Sequence, residues 1–283
     1  MNKFIYAVAA LCFSATSANA IVIDSTTTDG NLLVNEILGS GITIDTSTIT
    51  YLGADDQSGI FSDGLSSGIG IDSGIIMSTG SAYNAVGPNT ADNSSVDTPS
   101  AGDAQLSLLS DYPTYDAAVL EFDFTSTGGD IYFNFVFASE EYNEWVDSPY
   151  NDVFAFWVDG VNIALAPDSQ EVAINTVNCG DNYVGFGPNC EYYNNNDLQD
   201  GGPYYNFGYD GFTDMFTAAL LDLAEGTHSM KFAIADASDS LWDSAVFIQA
   251  KTFSDEVTVP EPASILLLSL GLLGLGISRK RAS

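Results

Sequence analysis

Positive charge is nearly missing from this 283-residue sequence, in which six Lys and Arg stand against 38 Asp and Glu. Four of the six lie at the extreme ends: Lys3, Arg279, Lys280 and Arg281. Every carboxylate except Glu261 therefore falls between Ile21 and Val259, a stretch whose only bases are Lys231 and Lys251. Nucleic acid is excluded as a partner, because phosphate binding runs on Lys and Arg. Histidine is scarce too. His228 stands alone, and with no G-x-S-x-G elbow a Ser-His-Asp hydrolase has no foothold. One histidine and three cysteines also fall short of a zinc site. The glycine-rich run Gly64 to Gly74 lacks the Lys and the strand-then-helix setting of a phosphate loop, so its glycines serve turns. No 20- to 50-residue period recurs, which argues against a solenoid or propeller. What remains to balance the acids is solvent, salt or divalent cations.

The two ends differ from the middle. Met1 to Ala20 carries one charge, an apolar run from Phe4 to Phe13, and Ala18-Asn-Ala20, the pattern of a secretory leader cut between Ala20 and Ile21. Cys12 leaves with it. Export places Cys179 and Cys190 in an oxidising setting, so a disulfide closing ten intervening residues is expected, contributing about 2–3 kcal/mol. At the other end an uncharged run from Pro262 to Ser278 would span about 25 Å as a helix, close to a bilayer core of about 30 Å. Arg279, Lys280 and Arg281 would keep its end cytoplasmic and leave the acidic region outside. The chain thus divides into a leader (1–20), one domain (21–257) and a tail (258–283) with a membrane helix over 263–278.

Within the domain, Asp29 is placed to cap a short helix over 31–38, and 103–109 has room for another helical turn or two. Ile42, Ile44, Ile49 and Tyr51 suggest short alternating segments. Ala118, Leu120, Phe122 and Phe124 alternate with polar neighbours, a turn follows at Thr127 to Asp130, and Ile131, Phe133, Phe135 and Phe137 alternate again. Residues 152–158 are apolar on both faces, as in a covered central strand. Asp159-Gly160 signals a hairpin into 161–166, and Val172 to Val177 reads as a further strand. Residues 178–211, rich in Asn, Asp, Gly and Tyr, read as a surface excursion held by the disulfide. Phe212 to Leu223 suits helix or strand; the alternation of Met230, Phe232 and Ile234 favours strand, and Ala245 to Phe253 supplies the last one. About ten short strands with little helix predict an all-β chain, a single jelly-roll-like β-sandwich.

Two resemblances sharpen this outline. Pro260-Glu261-Pro262, a Leu/Gly-rich run and the terminal Arg279-Lys280-Arg281 together resemble the PEP-CTERM sorting signal. That resemblance implies export across the inner membrane of a Gram-negative-type envelope, transient membrane tethering, and cleavage near the triad by an exosortase. From about Asn31 to Phe253 the chain resembles the choice-of-anchor L domain. The blocks that carry it are Gly74-Ile-Ile-Met-Ser-Thr-Gly80, Phe137-Ala-Ser-Glu-Glu-Tyr142, Asn151-Asp-Val-Phe154, Ile174-Asn-Thr-Val-Asn178, Tyr209-Asp-Gly-Phe-Thr213, Ala233-Ile-Ala-Asp236 and Asp243-Ser-Ala-Val-Phe247. The segment with Cys179 and Cys190 departs from that pattern. The resemblance brings no activity with it.

The blocks place acids beside aromatic strand ends. If their strands are neighbours, Glu140, Glu141, Asp152, Asp236 and Asp243 converge. Hard oxygen donors with no basic partner suit Ca²⁺, so a structural Ca²⁺ site is expected there. Catalysis is a weaker fit. Glu140 and Glu141 are adjacent and would point to opposite faces, leaving only Glu140 with Asp236 or Asp243 as a glycosidase pair. The tyrosines between 183 and 209 suggest stacking on sugar rings. The sequence therefore predicts a non-enzymatic protein of the cell surface or the extracellular polysaccharide (biofilm) matrix. A Ca²⁺-dependent carbohydrate-binding module or adhesin is the alternative, and a glycoside hydrolase the distant one.

Overall fold

A computed structural model describes residues 19–257; the expected sorting helix and nearly all of the leader lie outside them. Eleven strands run in order: β1 (Val22–Thr26), β2 (Ile42–Leu52), β3 (Ser58–Ser62), β4 (Gly74–Ser78), β5 (Thr114–Ser139), β6 (Val153–Val158), β7 (Val161–Asn162), β8 (Tyr193–Asn195), β9 (Gly211–Thr213), β10 (Phe216–Ala237) and β11 (Ser244–Gln249). Three helices are short: α1 (Gly30–Ile37), α2 (Gly64–Ser67) and α3 (Ala104–Ser110). Among the described residues no helix is long and apolar enough to cross a membrane. The chain is all-β, as its alternation predicted, and its strands hydrogen-bond into one antiparallel sheet.

A ribbon of two long strands makes that possible. β5 and β10 pair from Phe216↔Phe135 to Ala237↔Thr114, with a register shift between Leu220 and Leu223. Opposite the shift, Gly128 and Gly129 have φ of 90° and 116°, which side-chain-bearing residues rarely adopt. The turn expected at 127–130 is therefore a bend within one strand. It folds the ribbon so that its two halves lie in different layers. The first half of β5 pairs with β2, and the second half of β10 pairs with β6 and through it β7. The second half of β5 joins β11, which leads through β4 and β3 to β1.

Aromatic packing fixes the layers. Phe133, Phe135 and Phe137 of β5 meet Phe154 and Phe156 of β6 at ring distances of 5.1–5.5 Å, with Phe232 of β10 alongside Phe133. β6 is buried on both faces for the expected reason. Phe154, Phe156 and Val158 face this central core, while Val153, Ala155 and Trp157 pack under Leu106 of α3. The helix cap at Asp29 forms as anticipated, accepting from the Asn31 amide, and Asp103 caps α3 by accepting from the Gln105 and Leu106 amides. On α1 the inward face is Leu33, Val34 and Ile37, and Leu32 points out.

Two local expectations are corrected. Residues 172–177 make isolated bridges and a turn, not a strand. The Thr176 hydroxyl accepts from the Ala173 amide at 2.9 Å and reaches the Glu171 carbonyl at 2.7 Å, replacing ladder bonds with local ones. The 178–211 segment is no mere surface excursion either. Its Phe207 and Tyr209 are fully buried with Phe212, Phe61 and Phe247, capping the outer face of the β4–β11–β5 layer. Aromatic residues supply there the core that its few aliphatics could not. The Cys179–Cys190 disulfide is present, with the Cα atoms 4.6 Å apart.

Candidate functional site: a buried belt of carboxylates

The layers close at one end, where β5 finishes and β6, β9 and β11 begin. Ser139 is opposite Ser244 of β11 and Gly211 of β9, and the Glu140 amide donates to the Asp243 carbonyl at 3.0 Å. Asp152 stands just before β6, Asp210 just before β9, and Asp236 near the end of β10. All five sequence-predicted acids are buried at this end: Glu140, Asp152, Asp236 and Asp243 are 0 % exposed and Glu141 2 %.

They form two groups rather than one constellation. In the inner group, Asp152 bridges the layers. One of its oxygens accepts from the Ala237 amide of β10 at 2.9 Å and the other from the Ser244 hydroxyl of β11 at 2.6 Å. Asp236 lies beside it, also within reach of the Thr79 side chain. Glu141 faces Asp152 and Asp239. Burial dominates the ionisation of all three; repulsion from Asp152 adds to it at Glu141 and Asp236, while hydrogen bonds from Ser244, Ala237 and Asp236 work against it at Asp152. Asp152 is pushed up to about 7, Glu141 to about 11, and Asp236 well above the carboxylate range.

Glu140 turns away from its neighbour into an outer group. Its Oε2 accepts from the Ser94 amide at 3.1 Å and its Oε1 has no partner. It faces Asp210 and lies within electrostatic reach of Asp92 and Asp243. Asp243 is the best satisfied of the set, accepting from the Val96 amide at 3.0 Å and the Asn84 side-chain amide at 2.7 Å. Gly80 makes room for it, since a Cβ there would lie 1.8 Å from the Asp243 Oδ2. The separation of Glu140 from Glu141 was legible in their adjacency. Asp92, Asp197 and Asp210 were missed, although Asp210 sits inside the Tyr209-Asp-Gly block.

The missed acids are held by asparagines. Asn196 donates to the Phe207 and Tyr209 carbonyls and accepts from the Tyr204 and Tyr205 amides, curling that loop inward. Asn89 donates to Asp210 Oδ1 at 2.5 Å and leaves Oδ2 without a partner. Burial and the nearby Glu140 push Asp210 up to about 10. At the rim Glu144 is pushed up to about 7, mainly by burial.

No base reaches the belt from the described residues. Lys231 pairs with Asp103 at 2.6 Å, Lys251 donates to the Asn35 carbonyl, and His228 bonds Asp159 at 2.7 Å and the Ala224 carbonyl at 2.9 Å. His228 lies within β10. Carboxylates so placed can hold protons or a cation. Two open recesses of about 230 Å³ each lie at the surface, one of them bordering the belt. One is walled by Trp145, Tyr150 and Trp242 over Glu141 and Asp239, the other by Tyr183, Tyr193, Tyr204 and Tyr205 with Asn194 and Asn195.

Comparison with curated proteins and with solved structures finds no match. Residues 258–281 match the PEP-CTERM protein-sorting motif. The motif implies processing by an exosortase and marks proteins exported to the envelope or surface of Gram-negative-type cells. Residues 22–254, nearly all of the domain just described, match the Choice-of-anchor L domain, and the chain belongs to that family.

Proposed function

We propose that the protein is a non-enzymatic module of the cell surface or of the extracellular polysaccharide matrix, delivered there by exosortase sorting. The observation that carries the non-enzymatic half is burial. Glu140, Asp236 and Asp243, the acids from which a glycosidase pair would be drawn, are 0 % exposed, whereas a glycosidase needs two carboxyls flanking a sugar in an open cleft. The belt is better suited to pinning the two layers together. Incubating the purified protein with the host's own matrix polysaccharide tests this: no new reducing ends should appear. Hydrolysis that is lost in Glu140→Gln would overturn it.

A second reading, a carbohydrate-binding module or adhesin, is favoured by the tyrosine recess. Tyr183 and Tyr204 are 40 % and 63 % exposed there beside the Asn194 and Asn195 amides, offering ring faces and polar groups for a saccharide. Binding on a glycan array that is lost in Tyr204→Ala would establish it, and an array without signal would refute it.

A further inference from the structure

We propose that Asp92, Glu140, Asp197 and Asp210 form a Ca²⁺ site that ties three distant segments of the chain together. The ligand oxygens of Asp92, Asp197 and Asp210 lie within 4.8 Å of one another. Oxygens sharing one Ca²⁺ at about 2.4 Å each can be up to about 4.8 Å apart, so a single ion can reach all three. Glu140 supplies an independent sign. It is 0 % exposed, comes from a different part of the chain, and faces Asp210 with its Oε1 left without a partner.

The hydrogen bonds at the site leave a consistent remainder. Glu140 Oε2 is occupied by the Ser94 amide and Asp210 Oδ1 by Asn89, while Glu140 Oε1, Asp210 Oδ2 and Asp92 Oδ1 have no donor. Asp197 is held in place by the Gln199 amide on Oδ1 at 2.7 Å and, more loosely, by the Asn143 side-chain amide on Oδ2 at 3.5 Å. Each protein donor thus orients a carboxylate without saturating it. An unpaired buried carboxylate is costly, and several together are costlier. A hard dication removes both penalties, and the all-oxygen set with no His or Cys selects Ca²⁺ over transition metals. Donors on loops favour Ca²⁺, which tolerates irregular geometry, over octahedral Mg²⁺.

Of the five acids expected from the sequence to bind Ca²⁺, only Glu140 belongs to this site. Asp152 is already satisfied by Ala237 and Ser244, and Asp243 by Val96 and Asn84. The ion would cross-link the 86–103 loop, the end of β5 and the β8–β9 segment. The proposal is independent of whether the surface binds glycans.

The test uses the full-length protein in mild detergent, stripped with EGTA and dialysed into metal-free buffer. CaCl₂ is titrated by calorimetry with about 1 mM Mg²⁺ present as a competitor. Thermal melts are run in parallel. The expected result is a saturable Ca²⁺ isotherm and a melting temperature raised by about 8–16 °C at free Ca²⁺ a thousandfold above Kd. Asp210→Asn and Asp92→Asn should each weaken binding about tenfold or more. Because an amide needs neither a proton nor a counter-ion to be buried, the metal-free melting temperature of Asp210→Asn should be no lower than that of the parent. Asp236→Asn, in the inner group, should bind as the parent does. Asp92 is only partly buried, so its variant provides the readout if Asp210→Asn misfolds. A stripped parent with no Ca²⁺ isotherm would overturn the proposal. Undiminished binding in Asp92→Asn, or loss of binding in Asp236→Asn, would do the same.

Discussion

Raising the pH from about 5 to about 7.5 in the presence of chelator should destabilise this protein, the opposite of what salt-bridged carboxylates produce. The perturbation acts on Asp152, which is fully buried and ionises at about 7 in the folded chain against 3.8 when free. Between those values the native chain keeps a proton that the unfolded chain has already lost. Stability from this group is therefore complete below the free value and drains away as pH climbs through the folded one. At about 1.4 kcal/mol per unit, Asp152 alone costs about 2–3 kcal/mol between pH 5 and 7.5. Asp243, also pushed up to about 7 by burial, acts in the same direction. For a domain of this size the melting temperature should fall by about 5–10 °C.

Urea unfolding followed by tryptophan fluorescence reads the effect directly, since Trp145 and Trp242 flank the recess over Glu141 and Asp239. Asp236→Asn is the internal control. Burial and the neighbouring Asp152 push Asp236 well above the carboxylate range, so the native chain holds a proton there that the unfolded chain has lost, and an amide removes that pH-dependent difference. It should flatten the pH dependence and stabilise the chelated protein by about 1–3 kcal/mol at the upper pH. A chelated parent whose stability rises over this range, or an Asp236→Asn variant that is less stable at the upper pH, would refute the reasoning.

Phe133→Ala should cost about 3–5 kcal/mol, read as a drop in the urea midpoint, because its ring meets Phe156, Phe232 and Phe253 at 5.4–5.5 Å in the middle of the core. Reducing Cys179–Cys190 should cost about 3 kcal/mol, measured as the difference in melting temperature with and without a phosphine reductant. The same reduction should weaken Ca²⁺ binding, because the disulfide anchors the segment that presents Asp197 and Asp210.

Strands were legible wherever a half-buried surface writes its period into the chain. The alternating Phe positions around β5 and the two-sided run of β6 are of that kind, and the cap at Asp29 was legible for an equally local reason. The long ribbon was not. Thr127-Gly-Gly-Asp130 has the composition of a hairpin turn, and only the partner strand, with its register shift at Leu220, decides whether the chain reverses or bends. Val172 to Val177 fails in the other direction. Its pattern fits a strand, yet Thr176 can satisfy the backbone locally and does.

The acids follow the same division between local and distant causes. Glu140, Glu141, Asp152, Asp236 and Asp243 adjoin apolar strands, so their burial could be inferred from neighbours in sequence. Asp92, Asp197 and Asp210 sit among Asn, Ser and Gly, the composition of solvated loops. They become buried because Phe207 and Tyr209, flanked by Asn206, Gly208 and Asp210, find the outer face of the sheet, and because Asn89 and Asn196 fold the loops over them. An aromatic residue followed directly by an acid and a glycine, as in Tyr209-Asp210-Gly211, was the available signal: the ring buries the chain and the acid goes with it. A carboxylate drawn in without a base must then keep a proton or gain a cation. The pH dependence of the inner group and the Ca²⁺ dependence of the outer one are two consequences of that single constraint.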